Sequence, residues 1–362
     1  MFAFALIILG ATFLFCVLGA LSLILSAAAR RPPAVSPADK PQALKISILI
    51  PAHNEEKKIG VTLESLASEI PGSGATVEVI LALDRCTDAT EQAAQAWASK
   101  LPLRMISVDY GSKWKTLQRL FRESSQDSAW AVLLDAGTIW EAGFLGNLCR
   151  AIRFNPDAGV LGPGYRMHGG SFVTRLFWGY ERFVKACENR LGGPISLHGA
   201  TIAFRRDVLE KIWRELGSEK YPIGFQNDDI ALPLAARIFF PELRNIYLKN
   251  LFVFDRMSHE RLSLDARFRR RKRMVLGNLQ WTRWFLRVTP RGPLISCLAL
   301  RRMLRPFWVI GLIVFAAGVS LESRIGLVFL APILIFPSAA IASAYAPIAW
   351  LGRFDEKPAK WR

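Results

Sequence analysis

The chain has 362 residues, 51% of them hydrophobic and 21% charged, and 47 Lys and Arg against 30 Asp and Glu leave a formal charge of +17. That length accommodates one large or two modest domains, and an apolar share that includes 11 Trp and 23 Phe excludes a disordered chain. A mean hydropathy of +0.23 is high for a soluble protein and directs attention first to membrane spans.

Met1 to Ala29 carries no charged side chain, and the first cations are Arg30 and Arg31. About 20 apolar residues cross a bilayer, so residues 1–29 read as an uncleaved anchor. A cleaved signal peptide would have a basic start and a shorter apolar run. Met1-Phe2-Ala3 supplies no side-chain charge, although Ser26-Ala27-Ala28-Ala29 is small enough for cleavage.

Two further apolar runs, Pro306–Leu321 and Ile325–Gly352, flank Glu322-Ser323-Arg324 and predict spans over 304–321 and 325–350, with a tail at 351–362. Cations gather at Arg30/Arg31, at Arg301/Arg302/Arg305 and at Arg353/Lys357/Lys360/Arg362. By the positive-inside rule all three groups are cytoplasmic. Three spans satisfy this with residues 30 to 305 in the cytosol, as in an integral protein of the bacterial inner (plasma) membrane. The five cysteines form no CxxC, and an odd count on a reducing face argues against a disulfide framework and a zinc site.

Residues 30–43 are a Pro-rich linker. Ile46–Ile50 then reads as a buried strand, and Ile59, Leu63, Leu66 and Ile70 mark one face of a helix. Strands are expected at Val77–Leu83, Leu103–Val108 and Ala131–Leu134, with helices near 89–99 and 115–124. This alternation predicts a mainly parallel α/β sheet covered by helices. Ligands bind such sheets beyond the carboxyl ends of the strands. Three polar clusters fall there: Pro51-Ala52-His53-Asn54-Glu55, Asp84-Arg85-Cys86-Thr87-Asp88 and Asp135-Ala136-Gly137. One such Asp is commonly a turn or cap residue, as Asp88 is before the Ala89 helix; three in succession point to function. No Walker lysine or GxGxxG follows a strand.

The ordered motifs resemble those of a family 2 glycosyltransferase of the Rossmann-like GT-A fold, in the membrane-anchored branch with cellulose synthase and poly-N-acetylglucosamine synthase. The likeness spans about residues 44 to 285, with the catalytic domain over 44–258 and basic amphipathic interface helices over 259–303. ISILIPAHNEE resembles the opening strand and nucleotide-contacting turn, which implies donor contacts at Pro51, Ala52, Asn54 and Glu55. Asp84 stands at the uracil-binding aspartate and Lys113 at a lysine near the diphosphate. Asp135-Ala136-Gly137 occupies the DxD position, which holds a divalent ion, Mg²⁺ or Mn²⁺. Gly137 removes one oxygen ligand from a cation that takes about six, as in ceramide glucosyltransferases, so the resemblance leaves Asp135, phosphate oxygens, water and His259. Asn227-Asp228-Asp229 resembles the later acidic motif, whose second acid is the catalytic base. Arg270-Arg271-Lys272-Arg273-Met274 stands at QxxRW and lacks the Trp that holds the acceptor in processive synthases.

The resemblance implies an inverting transfer from a nucleotide sugar, UDP-linked by expectation, to a lipid-linked or polysaccharide acceptor, with Asp229 as base. Asn227 with two acids also suits simple helix capping. Six cations between Arg267 and Arg273 suit membrane lipids on one face and the diphosphate, through Arg270 and Arg273, on another. The loop containing His198 and Gly199 resembles the acceptor side. A polymer channel would need oligomerisation or export subunits beyond three spans. The charge of +17 raises nucleic-acid binding, but the cations cluster beside the spans and no recognition motif appears. A processive synthase subunit and a catalytically inactive scaffold are the alternatives.

Overall fold

A computed structural model describes residues 44–167, 172–255, 264–288 and 292–304. The anchor over 1–29, the linker, the two C-terminal spans beyond residue 304, the tail and His259 lie outside these residues. Among the described residues no helix is long and apolar enough to cross a membrane. The chain divides into two compact units, one built on residues 31–261 and the other on 262–355 with 1–30.

The first unit carries one eight-stranded sheet. Its strands in chain order are β1 (Leu44–Ala52), β2 (Ala75–Asp84), β3 (Leu103–Val108), β4 (Trp130–Leu134), β5 (Thr138–Trp140), β6 (Ala158–Met167), β7 (Thr201–Arg205) and β8 (Arg244–Asp255). They lie in the order β3-β2-β1-β4-β7-β6-β8-β5. β1 pairs in parallel with β2, Ile46 opposite Val77, and with β4, Ile46 opposite Trp130. β7 enters antiparallel beside β4, β6 lies antiparallel to β7 and parallel to β8, and β5 closes the edge antiparallel to β8.

The helices are α1 (Glu56–Glu69), α2 (Thr90–Gln95), α3 (Lys113–Glu123), α4 (Phe144–Phe154), α5 (Phe172–Glu188), α6 (Arg206–Leu216) and α7 (Asp228–Phe239). Ile46, Ile48, Leu49 and Ile50 are fully buried, so β1 is covered on both faces, which its unbroken apolar run requires. On one face Ile46, Ile48 and Ile50 join Ile59, Leu63 and Leu66 of α1 in the core. Each such side chain contributes about 1.5–3 kcal/mol on burial. The four expected strands occur within two residues of their expected ends, whereas the helix near 89–99 is α-helical only over Thr90–Gln95.

β5, β6 and β8 have no counterpart in the sequence reading. β6 contains Gly159, Gly162, Pro163 and Gly164, a run that reads as a loop. The glycines are there for packing: a Cβ at Gly162 would lie 2.6 Å from Leu197, and one at Gly164 would lie 2.8 Å from Phe252.

The second unit includes α8 (Leu264–Arg287) and α9 (Pro293–Leu304). Trp281, Trp284 and Phe285 suit an interfacial belt by sequence, but they are 0%, 5% and 3% exposed and are therefore packed within protein.

Candidate active site

The site lies where β1, β2 and β4 end. The turn after β1 is fastened to the turn after β2. His53 Nδ1 donates to the Asp84 carbonyl at 2.6 Å, and Asn54 Oδ1 accepts from the Thr87 backbone N–H at 2.8 Å. Asn54 takes a left-handed φ of 56°, which asparagine tolerates better than most residues. Pro51 and Ala52 are buried within β1 and pair with Ala82 and Leu83 of β2. Glu55 accepts an ion pair from Lys58 at 2.8 Å. Burial raises the Glu55 pKa, and Asp135 and Asp88 add to that rise against the lowering by Lys58.

Asp84 differs from its expected role. It is 0% exposed, and its carboxylate accepts the backbone N–H groups of Tyr110, Gly111 and Ser112 at 2.8–3.0 Å and the Thr116 hydroxyl at 2.8 Å. Four donors occupy the four lone-pair sites of a carboxylate. In this structure Asp84 is engaged by the segment that caps the start of α3, whose first residue is Lys113. The next residue, Trp114, packs edge-on against Trp213 at 4.8 Å and against Phe225 at 5.1 Å. These contacts tie Lys113 to the segment leading into Asn227-Asp228-Asp229.

The Lys113 ammonium lies 2.7 Å from Asp135 Oδ1 and 3.0 Å from Asp228 Oδ2. Burial alone would lower its pKa, but the two carboxylates outweigh that and hold it above the ordinary lysine value. The Asp135 side chain is 41% exposed and that of Asp228 is 13% exposed. Asp229 reaches the same place from α7. A Cβ at Gly199 would lie 3.4 Å from Asp229 Cβ and 3.9 Å from Asp135 Oδ2, so Gly199 leaves the gap between them. Asn227 makes no side-chain capping bond to α7, and the acids at its start face this cluster.

The loop that carries Gly199 is held by buried polar groups. Arg237 donates to the Gly193 and Leu191 carbonyls, both at 3.0 Å, and burial pulls its pKa down to about 10. Asn245 Nδ2 donates to the Pro194 carbonyl at 2.8 Å. Gly193, at φ 102°, is obligatory, because a Cβ there would sit 1.5 Å from the Asn245 carbonyl oxygen. His198 Nδ1 accepts from the Ala200 N–H at 3.2 Å, which places the ring proton of neutral histidine on Nε2. Its ring stacks on Tyr165 at 3.8 Å and 6°, with Trp178 at 5.5 Å.

The structure thus brings together Lys113, Asp135, Asp228, Asp229 and Gly199. His198 stands beside Gly199, and Asp84 acts from behind the cluster. Arg270 and Arg273 lie on α8 in the other unit. Trp114, Lys58, Tyr165 and Trp178 escaped the sequence reading; an aromatic directly after Lys113 was the one local signal.

Among the described residues no three His, Cys, Asp or Glu side chains converge as metal ligands. Gly137 adopts φ 94°, and a Cβ there would lie 3.2 Å from Lys58 Cδ, so the stem of Lys58 fills the space of the missing DxD acid. Asp135 and Asp228 nonetheless share a cation already, the Lys113 ammonium. Their oxygens fit a divalent ion that draws its remaining ligands from phosphate and water.

No curated protein sequence matches the chain. Among solved structures, the mannosyltransferase PcManGT of Pyrobaculum calidifontis, in complex with GDP-Man and Mn²⁺, superposes with a TM-score of 0.68 at 20% identity, over 95% of this chain and 94% of its own. TarS 1-349 of S. aureus in complex with UDP-GlcNAc follows at a TM-score of 0.47 and 16% identity, over 76% of this chain and 82% of its own. The first likeness establishes a shared fold. The family model described as "Glycosyltransferase like family 2" matches residues 41–277, more than half of the chain. From the opening strand to α8, therefore, this chain belongs to glycosyltransferase-like family 2, and it is a glycosyltransferase.

Proposed function

We propose that the protein transfers one sugar, with inversion, from a nucleotide-sugar donor to a lipid-linked or polysaccharide acceptor at the cytoplasmic face of a membrane. The observation that carries this reading is the meeting of Asp135, Asp228 and Asp229 around Lys113 and Gly199. In the reaction the acceptor hydroxyl attacks the anomeric carbon, its proton passes to the Asp229 carboxylate, and the carbon–oxygen bond to the diphosphate breaks. The electron pair leaves with the diphosphate, beside the Lys113 ammonium. A general base of this kind contributes about 10²–10⁴ in rate. A divalent ion held by Asp135 and Asp228 would neutralise charge on the leaving group. His198, stacked on Tyr165 and adjacent to Gly199, lies on the acceptor side.

The uncharged run over 1–29 and the apolar runs after residue 304 support membrane attachment, and proximity to the bilayer favours a lipidic acceptor. The absence of the Trp of QxxRW favours single transfer over polymerisation. The experiment is a screen of UDP- and GDP-sugars on the purified protein, reading nucleotide diphosphate release and labelled membrane extract. Asp229→Asn is expected to bind donor normally and to lose about 10²–10⁴-fold in turnover. Near-normal turnover in that variant would remove Asp229 as the base.

A further inference from the structure

We propose that the Lys113 ammonium is a built-in stand-in for the divalent cation. In the donor-free protein it occupies the position between Asp135 and Asp228, and the nucleotide diphosphate draws it away, so that ion and nucleotide bind cooperatively. This rests on the donor reading above and adds an order to it. Two carboxylates on different elements, the end of β4 and the start of α7, share one ammonium at 2.7 and 3.0 Å. Two of its three N–H donors are spent on them, which leaves one for a phosphate oxygen.

A divalent ion arriving alone has to displace that ammonium and leave a largely buried lysine without its two anions. The DxD position offers it no second acid in compensation: Gly137 supplies none, and the Lys58 stem fills the space beside it. A diphosphate changes the balance, because it offers Lys113 a new anion and offers the ion further oxygens. The long lysine stem permits the exchange, while its Cα stays fixed by the Asp84 cap behind α3. Linkage makes the effect reciprocal, so the ion tightens nucleotide binding by the factor with which the nucleotide tightens ion binding.

The test is Mn²⁺ binding to the full-length purified protein, followed by electron paramagnetic resonance of the free ion, without nucleotide and with UDP or GDP. In the unsubstituted protein the nucleotide is expected to tighten Mn²⁺ by about tenfold or more. Lys113→Gln is expected to bind Mn²⁺ more tightly than the unsubstituted protein in the absence of nucleotide, and to lose most of the coupling. Lys113→Arg, which keeps the charge, is expected to keep the weak nucleotide-free binding. The proposal is overturned if Lys113→Gln leaves nucleotide-free Mn²⁺ affinity unchanged, or if Lys113→Arg behaves as Lys113→Gln does. Failure of UDP and GDP to bind any form would defeat the donor reading instead, and the nucleotide-free comparison would still decide what the lysine competes with.

Discussion

β2 and β4 are both parallel strands of one sheet, and an aspartate stands at the end of each, yet the two carboxylates do opposite work. Asp84 is wholly buried and saturated by four donors from the segment that starts α3. Asp135 is 41% exposed on its side chain and pairs with the Lys113 ammonium. The difference comes from what the sheet places opposite each strand end. β3 lies beside β2 and delivers the N–H groups of residues 110–112. Beside β4 comes antiparallel β7, preceded by the glycine loop that leaves Gly199 without a side chain. One aspartate builds the platform for Lys113, and the other faces what Lys113 faces.

The sharpest way to break this contrast is Asp84→Ala. It strands three backbone N–H groups, each costing about 1–3 kcal/mol when buried without a partner, while the Thr116 hydroxyl keeps the Ser112 carbonyl as acceptor at 2.9 Å. The summed loss of stability in a denaturant melt is expected to be about 3 kcal/mol or more. A change under 1 kcal/mol would mean that the cap does not hold α3.

Asp135→Asn is the counterpart. The half-buried ion pair it removes leaves Lys113 paired with Asp228, so folding is expected to lose about 1 kcal/mol, while turnover is expected to fall about 10²–10³-fold. Equal stability losses for Asp84→Ala and Asp135→Asn would erase the distinction between the two strand ends.

The smallest effect concerns Glu55, beside Asp135. Its folded-state pKa is raised by burial, so ionisation works against the folded form. Its contribution to stability is present in full below the unfolded carboxyl range and is lost as pH rises through the folded pKa. Comparison of melts across that range should show a shallower decline with rising pH in Glu55→Gln than in the unsubstituted protein.

The half of the sheet from β1 to β4 was legible because its information is local. Apolar runs bounded by polar turns define β1 to β4, and the period of Ile59, Leu63 and Leu66 defines α1. Lys113, Asp135, Asp228 and Asp229 were recognisable as an ordered set, and all four lie within the family match over residues 41–277.

Tertiary structure alone decided the rest. Glycine and proline hide β6, which is a strand by its pairing with β7 and β8 and whose missing side chains leave the space that Leu197 and Phe252 fill. The donors that satisfy Asp84 lie 26 to 32 residues along the chain, and the aromatic partner of His198 is brought by a different strand. Local sequence records periodicity and turn chemistry, both set within a few residues. A carboxylate's task depends on which distant segment the strand order sets before it, and that is settled only when the sheet assembles.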